Sequence, residues 1–339
     1  MKSHLNKGLF CLLIFTTVFG GLVLLGPKQK LEPVVQRIRY SDLVANTPPP
    51  AAPKIKVPRK AQISNKRPGY QDYNAIVAQI KEWNSEAPDL TEVGSYGKTS
   101  RGKEIWYIRV HNKLDKSPKP KVLITASIHG NEPWSTSSSM WYISHMLASY
   151  GEDEDITELI NTRDIYYIPV VSPDSYPHSR QVDGVDPNRN FPTGRNPNKQ
   201  SVPPIRALRA FFLKIKPNAV ISGHTSGRIF LYPWGDSMEK CPHDKEFRRV
   251  MGRFASLCNY NLKRACHMYN RAIFGTEVDW YYRNGAFSCV MEYGTHQSKP
   301  SMSNIEGEFN RTYKGVLYFI KEAPLVEINP QVTAIRVAA

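Results

Sequence analysis

A histidine and a glutamate stand three residues apart in the segment SIHGNEP (residues 127–133), which carries His129 and Glu132. The segment joins an apolar, strand-like run to a helix-like one. Gly130 permits a sharp turn between them, and Pro133 suits a first helical turn. An imidazole and a carboxylate placed in this way can converge on one point. By itself the pair predicts little, because the same spacing also occurs on protein surfaces.

A hydrolytic zinc site needs three protein ligands and an open coordination position for water. The third ligand must therefore come from elsewhere in the chain, and His224 in ISGHT (residues 221–225) is the candidate, because it also stands at the end of a strand-like run. The alternative for His224 is a hydrogen-bonded structural histidine. Glu292 closes a further apolar run, where a buried carboxylate without a function would be costly. Such a carboxylate can take a proton from a zinc-bound water and deliver it to a leaving amine.

Strands and helices must hold these side chains in place, and beyond Gly69 the sequence alternates between the two. Strands are predicted at 105–110, 122–126, 165–171, 219–222 and 287–291. Helices are predicted at 73–83, 133–148, 204–214, 244–257 and 277–282. The pattern predicts a single α/β domain with a central mixed, largely parallel twisted sheet flanked by helices. Ligands bind outside the carboxyl ends of the strands in such sheets, and all the candidate residues follow or close strand-like runs.

Four motifs in sequence order resemble those of the zinc metallocarboxypeptidases of the carboxypeptidase A/B family, from about residue 70 to residue 318. They are HGNE at 129–132, GVDPNRNFP at 184–192, His224 leading into LYPWG at 231–235, and DW at 279–280 followed by a glutamate that ends an apolar strand. The resemblance implies one Zn²⁺ per chain and a carboxypeptidase that hydrolyses the amide bond next to a terminal carboxylate.

The resemblance also implies a role for each matching residue. His129, Glu132 and His224 match the metal ligands, and Asp186 matches the carboxylate that orients the first histidine. Glu292 matches the general base. The remaining matches concern the substrate: Asn188 and Arg189 for its terminal carboxylate, Arg180 for the scissile carbonyl, and Tyr269 for a mobile tyrosine that closes over the bound end.

Several positions depart from the family pattern. Arg180 lies closer to Asn188 than in the best-known members, and the interval from Tyr269 to the DW motif is two residues longer. Ser226 replaces an aromatic residue, which should open the rim of the pocket. Val278 offers no counter-ion, so a basic terminal residue is not favoured.

Three functions remain open on these grounds. Arg228 and an N-terminal membrane segment favour a branched anionic substrate such as a peptidoglycan stem peptide for the carboxypeptidase. A zinc deacylase of small N-acyl amino acids would use the same metal ligands. A catalytically silent peptide-binding module would normally have lost a ligand or the base, and this chain keeps both.

The N-terminal part differs in composition from the rest. An apolar run at 8–26 follows Lys2 and Lys7, which predicts a signal peptide or membrane anchor over 1–26, with a buried core helix as the alternative. A Pro- and Lys-rich linker is predicted at 27–68, the catalytic domain at 69–330 and a tail at 331–339. We therefore expect a domain exported to, or anchored in, the cell envelope outside the cytoplasm.

The chain has a formal net charge of +15, which favours contact with polyanions. It has no zinc-finger spacing or RNA-binding motif, so we expect no nucleic acid partner, and no obligate protein partner is evident. Four cysteines follow the apolar run, and they could pair in three ways or remain buried thiols. These are Cys241, Cys258, Cys266 and Cys289.

Overall fold

The computed structural model of the chain describes residues 70–268, 270–295 and 300–330. Its strands are β1 (Thr91–Lys98), β2 (Glu104–Val110), β3 (Lys121–Ala126), β4 (Asp164–Ile168), β5 (Ala219–Thr225), β6 (Ile229–Tyr232), β7 (Asn261–Arg264) and β8 (Phe287–Tyr293). Its α-helices are α1 (Tyr73–Glu86), α2 (Pro133–Ser149), α3 (Glu154–Thr162), α4 (Pro203–Ile215), α5 (Asp244–Cys258), α6 (Ala265–Met268), α7 (Glu277–Arg283) and α8 (Met302–Glu322). Short 3-10 turns cover Pro187–Arg189 and Ala323–Leu325.

The predicted membrane segment, the linker and the C-terminal tail lie outside the described residues. Among the helices of the described residues, none has both the length and the apolar content that a bilayer crossing requires.

The strands form one mixed sheet in the order β1-β2-β4-β3-β5-β8-β6-β7. The four central strands, β4, β3, β5 and β8, are mutually parallel. On one side β2 pairs antiparallel with β4 and with β1, and on the other β6 pairs antiparallel with β8 and parallel with β7. Because the central strands share a direction, their carboxyl ends meet at one edge of the sheet. The predicted α/β fold with a mixed sheet is confirmed.

Successive side chains of the central strands point to opposite faces of the sheet. In β3, Ile124 packs into one apolar cluster with α1, α2, α5 and α8. The neighbouring Leu123 packs into a second cluster with α4 and Tyr281 of α7. Each buried Leu or Ile side chain contributes about 1.5–3 kcal/mol through removal of apolar surface from water. The sheet is therefore held rigidly between two helical layers.

The predicted elements are present, with differences at their ends. β4 ends at Ile168 because Pro169 has no amide hydrogen for the ladder. β5 and β8 run further than predicted, and both His224 and Glu292 lie inside them, paired with each other. The pattern did not predict β1, β6, β7, α3, α6 or α8. The four cysteines considered above are buried and free, so they form no disulfide.

Candidate active site

His129, Glu132 and His224 converge at the carboxyl edge of the sheet. His129 and Glu132 lie in the turn between β3 and α2, and His224 lies in β5. One ligand atom from each residue lies within 4.8 Å of the other two, and all three residues are buried. Glu132 Oε1 is 2.9 Å from His129 Nδ1, and Glu132 Oε2 is 2.9 Å from His224 Nδ1. Two imidazole nitrogens and one carboxylate oxygen are a donor set typical of catalytic zinc, so these residues fit the metal that the sequence predicted.

The turn that carries the first two ligands is fixed by close packing and hydrogen bonds. A Cβ at Gly130 would lie 2.4 Å from the carbonyl carbon of Ser175, so only glycine fits there. Ser127 adopts a left-handed conformation with a φ of 45°. This conformation is held by Ser135, whose Oγ accepts from Ser127 N at 3.1 Å and donates to Glu132 O at 2.8 Å. These hydrogen bonds fix the turn that carries Glu132.

Each histidine has a carboxylate behind it. His129 Nε2 lies 2.9 Å from Asp186 Oδ1, where the sequence predicted it. His224 Nε2 lies 2.7 Å from Glu277 Oε1, a residue that sequence reasoning did not select. Asp186 and Glu277 can each accept a proton from Nε2, so Nδ1 is the nitrogen of each ring that would face a metal beside Glu132. Helix 277–282 was predicted, but no local motif indicates that its first side chain reaches His224.

The carboxylates of the site are held ionised. Burial opposes ionisation of Glu132, but the positive charge of His224 and hydrogen bonds from both histidines lower the pKa of Glu132 to about 2. Burial likewise opposes ionisation of Asp186, and its pKa is nevertheless held well below the usual range by the hydrogen bond from His129 and the charge of Arg180. Both carboxylates are therefore acceptors at neutral pH.

Glu292 faces the same cavity from β8. The register of the parallel pair sets Glu292 directly beside His224, and both residues line the cavity. Burial, followed by repulsion from Glu132, raises the pKa of Glu292 to about 7, although the charges of His224, His129 and Arg180 lower it. A carboxylate with a pKa near neutrality is suited to exchange protons during a reaction.

Arg180, Asn188 and Arg189 also line this cavity. The guanidinium of Arg180 donates to Glu132 Oε1 at 3.3 Å and to Asp186 Oδ2 at 3.1 Å, so its shorter spacing in sequence does not keep it from the site. Asn188 Oδ1 accepts from the backbone N–H of residue 277 at 2.9 Å, and Asn188 Nδ2 lies 3.4 Å from His224 Nε2, so the side-chain amide is held beside the metal ligands. Tyr269 lies outside the described residues.

The cavity, including its open mouth, has a volume of about 630 Å³. Its polar lining includes the residues above. Its apolar lining includes Leu231, Ala265, Ile273, Val278 and Val290, and all of these except Ile273 pack in one buried cluster. We refer to these five residues as the apolar wall. Among the described lining residues the acids are Glu132 and Glu292 alone, so no further carboxylate is available as a counter-ion for a basic side chain.

Arg228 does not supply the free cation that the sequence suggested for the cleft rim. Its guanidinium donates to Glu308 Oε2 at 3.1 Å and 2.8 Å, and Glu308 is almost fully buried. Arg228 is not among the residues that line the cavity. Ser226 does line it, as expected for the opened rim.

Comparisons with known proteins agree with this geometry. Residues 76–315 match the zinc carboxypeptidase family model. Carboxypeptidase A4 of Mus musculus is 26% identical over 260 residues, which cover 64% of this chain and 61% of the relative. Carboxypeptidase A2 of Rattus norvegicus is 24% identical over 254 residues, covering 64% of this chain and 60% of the relative. The chain therefore spans about three fifths of the length of these curated relatives.

Solved structures share the fold at lower identity. Bovine thrombin-activatable fibrinolysis inhibitor, in complex with tick carboxypeptidase inhibitor, superposes with a TM-score of 0.66 at 20% identity, over 75% of this chain and 97% of that one. Carboxypeptidase A from Helicoverpa armigera superposes with a TM-score of 0.65 at 19% identity, over 76% of this chain and 74% of that one. Because the family model covers well over half of the sequence, the chain belongs to the zinc carboxypeptidase family.

Proposed function

We propose that the chain is a zinc-dependent carboxypeptidase that hydrolyses the amide bond next to the terminal carboxylate of a peptide. The observation that carries the proposal is the convergence of His129, Glu132 and His224 at one edge of the sheet, with Glu292 beside them. A silent binding module would not need a carboxylate with a raised pKa at this position. The proposed site therefore has both the ligands and the base.

The metal ligands and the base have separate tasks in this proposal. His129, Glu132 and His224 would hold the zinc ion, which when bound polarises a carbonyl and acidifies water. Glu292 would accept the proton of the attacking water and pass it to the nitrogen of the leaving amine. One carboxylate can perform both steps, because it is ionised when it accepts the proton and neutral when it donates it.

Three polar side chains would hold the substrate. The forked guanidinium of Arg189 suits bidentate contact with a carboxylate, and Asn188 can add an N–H donor beside it. Arg180 has a half-exposed side chain close to Glu132, and it would donate to the oxygen of the scissile carbonyl. A donor in this role contributes about 3 kcal/mol to transition-state stabilisation. We also propose that Tyr269 covers the bound end of the substrate.

The apolar wall supports a preference for an apolar terminal side chain. Burial of a Leu or Phe side chain against it would contribute about 1.5–3 kcal/mol, whereas a Lys or Arg side chain would lose water without gaining a counter-ion. A peptidoglycan stem remains a candidate substrate. However, the ion pair of Arg228 with Glu308 removes the cation that had favoured an anionic branch.

A set of matched peptides tests the proposal with the zinc-loaded protein. Three peptides share one sequence and end in Leu, Lys or Leu-amide. A peptidoglycan stem peptide that ends in a D-residue is tested beside them. An N-acetyl amino acid serves as the deacylase substrate. We expect release of the terminal residue from the Leu peptide and at least tenfold less from the amide, which lacks the carboxylate. Cleavage of the amide at the same rate would contradict carboxypeptidase action. Faster turnover of the N-acetyl amino acid would favour a deacylase.

We further propose that the N-terminal apolar segment and linker carry this domain to the cell envelope, outside the cytoplasm. The residues that support this lie at 8–26 and 27–68 of the sequence. Fractionation of cells that express the full chain, with protease added from outside, would test the location. Recovery of the domain in the cytoplasmic fraction would contradict it.

A further inference from the structure

Glu277 begins helix α7 and is fully buried, with an exposed fraction of 0%. Its Oε1 lies 2.7 Å from His224 Nε2. Its Oε2 forms no hydrogen bond of good geometry with the residues that the structure describes, although the Tyr281 hydroxyl lies close enough to interact with the carboxylate. Burial of an ionised carboxylate costs several kcal/mol unless a partner compensates for it. His224 is that partner here, so the position of Glu277 is tied to the imidazole.

The surroundings of the two histidines are similar in layout and different in charge. Each ring directs Nδ1 at Glu132 and Nε2 at a carboxylate behind it. Asp186, behind His129, is 25% exposed and also receives a hydrogen bond from Arg180. Glu277 is more deeply buried and forms no ion pair with an Arg or Lys among the described residues. Its negative charge is therefore less screened and acts more directly on its histidine.

We propose that Glu277 is a positioning residue for zinc binding: its carboxylate accepts the Nε2 proton of His224 and so directs the Nδ1 lone pair at the metal. A carboxylate in this place fixes the tautomer and makes the ring a stronger donor. The inference deepens the proposed function and rests on it, because it takes His224 to be a zinc ligand.

The backbone of Glu277 has a separate contact. Its N–H donates to Asn188 Oδ1 at 2.9 Å, beside the proposed site for the terminal carboxylate. A change of the side chain leaves this N–H in place. The proposal therefore predicts an effect on metal affinity, whereas the KM for peptide at saturating zinc should stay within about twofold.

The test uses the full chain with two substitutions, Glu277→Gln and Glu277→Leu. Glutamine keeps an acceptor oxygen but loses the charge, and leucine loses both. We expect the Kd for zinc, measured by competition with a chromophoric chelator, to rise about tenfold for glutamine and about 100-fold for leucine. Circular dichroism of the metal-free variants checks their folding. If Glu277→Leu does not fold, the glutamine variant decides.

Asp164→Asn is the matched control, because Asp164 is also a buried carboxylate beside a histidine. Its exposed fraction is 5%, and its Oδ1 lies 3.4 Å from His111 Nδ1 at the start of β4, the edge of the sheet away from the site. Its zinc affinity should equal that of the wild type. An equal loss in the control, or unchanged affinity in both Glu277 variants, would overturn the inference. Failure of the wild-type chain to bind zinc would instead overturn the proposed function.

Discussion

Two clusters of buried and half-buried ionisable residues lie at opposite ends of the central strands. The cluster at the carboxyl end, called the metal-edge cluster, comprises His129, Glu132, His224, Glu277 and Glu292. The cluster at the amino end, called the amino-edge cluster, comprises Arg109, His111, Lys119 and Asp164. In the first, three carboxylates surround two imidazoles. In the second, a single carboxylate is surrounded by cationic groups and a histidine.

The difference lies in which charges are already satisfied. In the amino-edge cluster, Arg109 donates to Asp164 at 2.8 Å and Lys119 donates to a backbone carbonyl at 2.9 Å, so each charge has a partner. In the metal-edge cluster the acids outnumber the histidines, and every member except Glu277 lines a cavity. An excess of buried acid around imidazoles suits a divalent cation. Buried charge alone is therefore a poor guide to function. An excess of one sign of charge beside a cavity is a better guide.

The largest expected effect comes from Glu292→Gln, which keeps the shape of the side chain and removes the base. We expect kcat to fall about 1000-fold, because general base catalysis contributes roughly 10²–10⁴-fold. Zinc content, measured by atomic absorption, should not change. Residual activity within tenfold of the wild type would mean that another residue is the base.

Arg189→Lys should have the next largest effect. Lysine keeps the charge but loses the bidentate fork, so the kcat/KM for a peptide with a free terminal carboxylate should fall about 30-fold, equivalent to about 2 kcal/mol. The measurement is the ratio of kcat/KM for the acid and the amide forms of one peptide. An unchanged ratio would show that Arg189 does not bind the terminal carboxylate.

The pH dependence should report Glu292 directly. Its pKa is raised to about 7 without metal, and a bound zinc ion would lower it, because positive charge favours the ionised carboxylate. The base is active when deprotonated. The kcat/KM should therefore fall about tenfold per pH unit on the acid side, from a midpoint below pH 7. A kcat/KM that stays constant between about pH 4 and about pH 7 would contradict this assignment.

Val278→Asp tests the apolar wall by adding a negative charge to it, so that it resembles the acidic metal-edge cluster. We expect turnover of a peptide that ends in Leu to fall about tenfold, because a charged group in the pocket must be desolvated. Turnover of the matching peptide that ends in Lys should rise relative to that of the Leu peptide, since the new carboxylate is a counter-ion for the lysine. Val278→Asn, which is similar in size and uncharged, is the control. An equal change in both peptides would mean that residue 278 does not contact the terminal side chain.

Asp164→Asn should have the smallest effect on activity and a clear effect on stability. Burial opposes ionisation of Asp164, but hydrogen bonds from His111 and Arg109 hold its pKa below the usual range. Its stabilising contribution is therefore present above the unfolded pKa, about 3.9, and is lost as the pH falls through the folded pKa. We expect a loss of about 2 kcal/mol in the free energy of unfolding at pH 7 and a smaller loss at pH 3, measured with urea. Equal losses of stability at the two pH values would contradict a stabilising ion pair of Asp164 with Arg109.

The sequence was sufficient to predict the central strands and the edge at which the candidate residues meet. The apolar runs before His129, His224 and Glu292 identified buried strands, and parallel strands bring their carboxyl ends together. Contacts across long separations were predictable only where a family motif indicated them, as for Asp186 and His129. The hydrogen bond between Glu277 and His224 spans 53 residues, and the pair of Arg228 with Glu308 spans 80.

Two missed elements differ in the signal that the sequence carries for them. β1 contains glycines that weaken a strand pattern, and they are needed because a Cβ at Gly94 would lie 2.8 Å from the Tyr107 ring, and one at Gly97 would lie 2.5 Å from Ala207. α8 carried a usable signal, because Ile305, Phe309, Thr312, Val316 and Phe319 recur at helical spacing and are buried.

The four free cysteines of the described residues have a consequence for how the protein can be handled. Burial raises the pKa of each thiol, so none is a ready nucleophile while the chain is folded. The described fold is held by packing and hydrogen bonds without sulfur cross-links, so reductants should leave it intact. A maleimide dye would then label these four cysteines only in molecules that have opened, and in a variant without Cys11 its uptake over time would measure how often the domain unfolds.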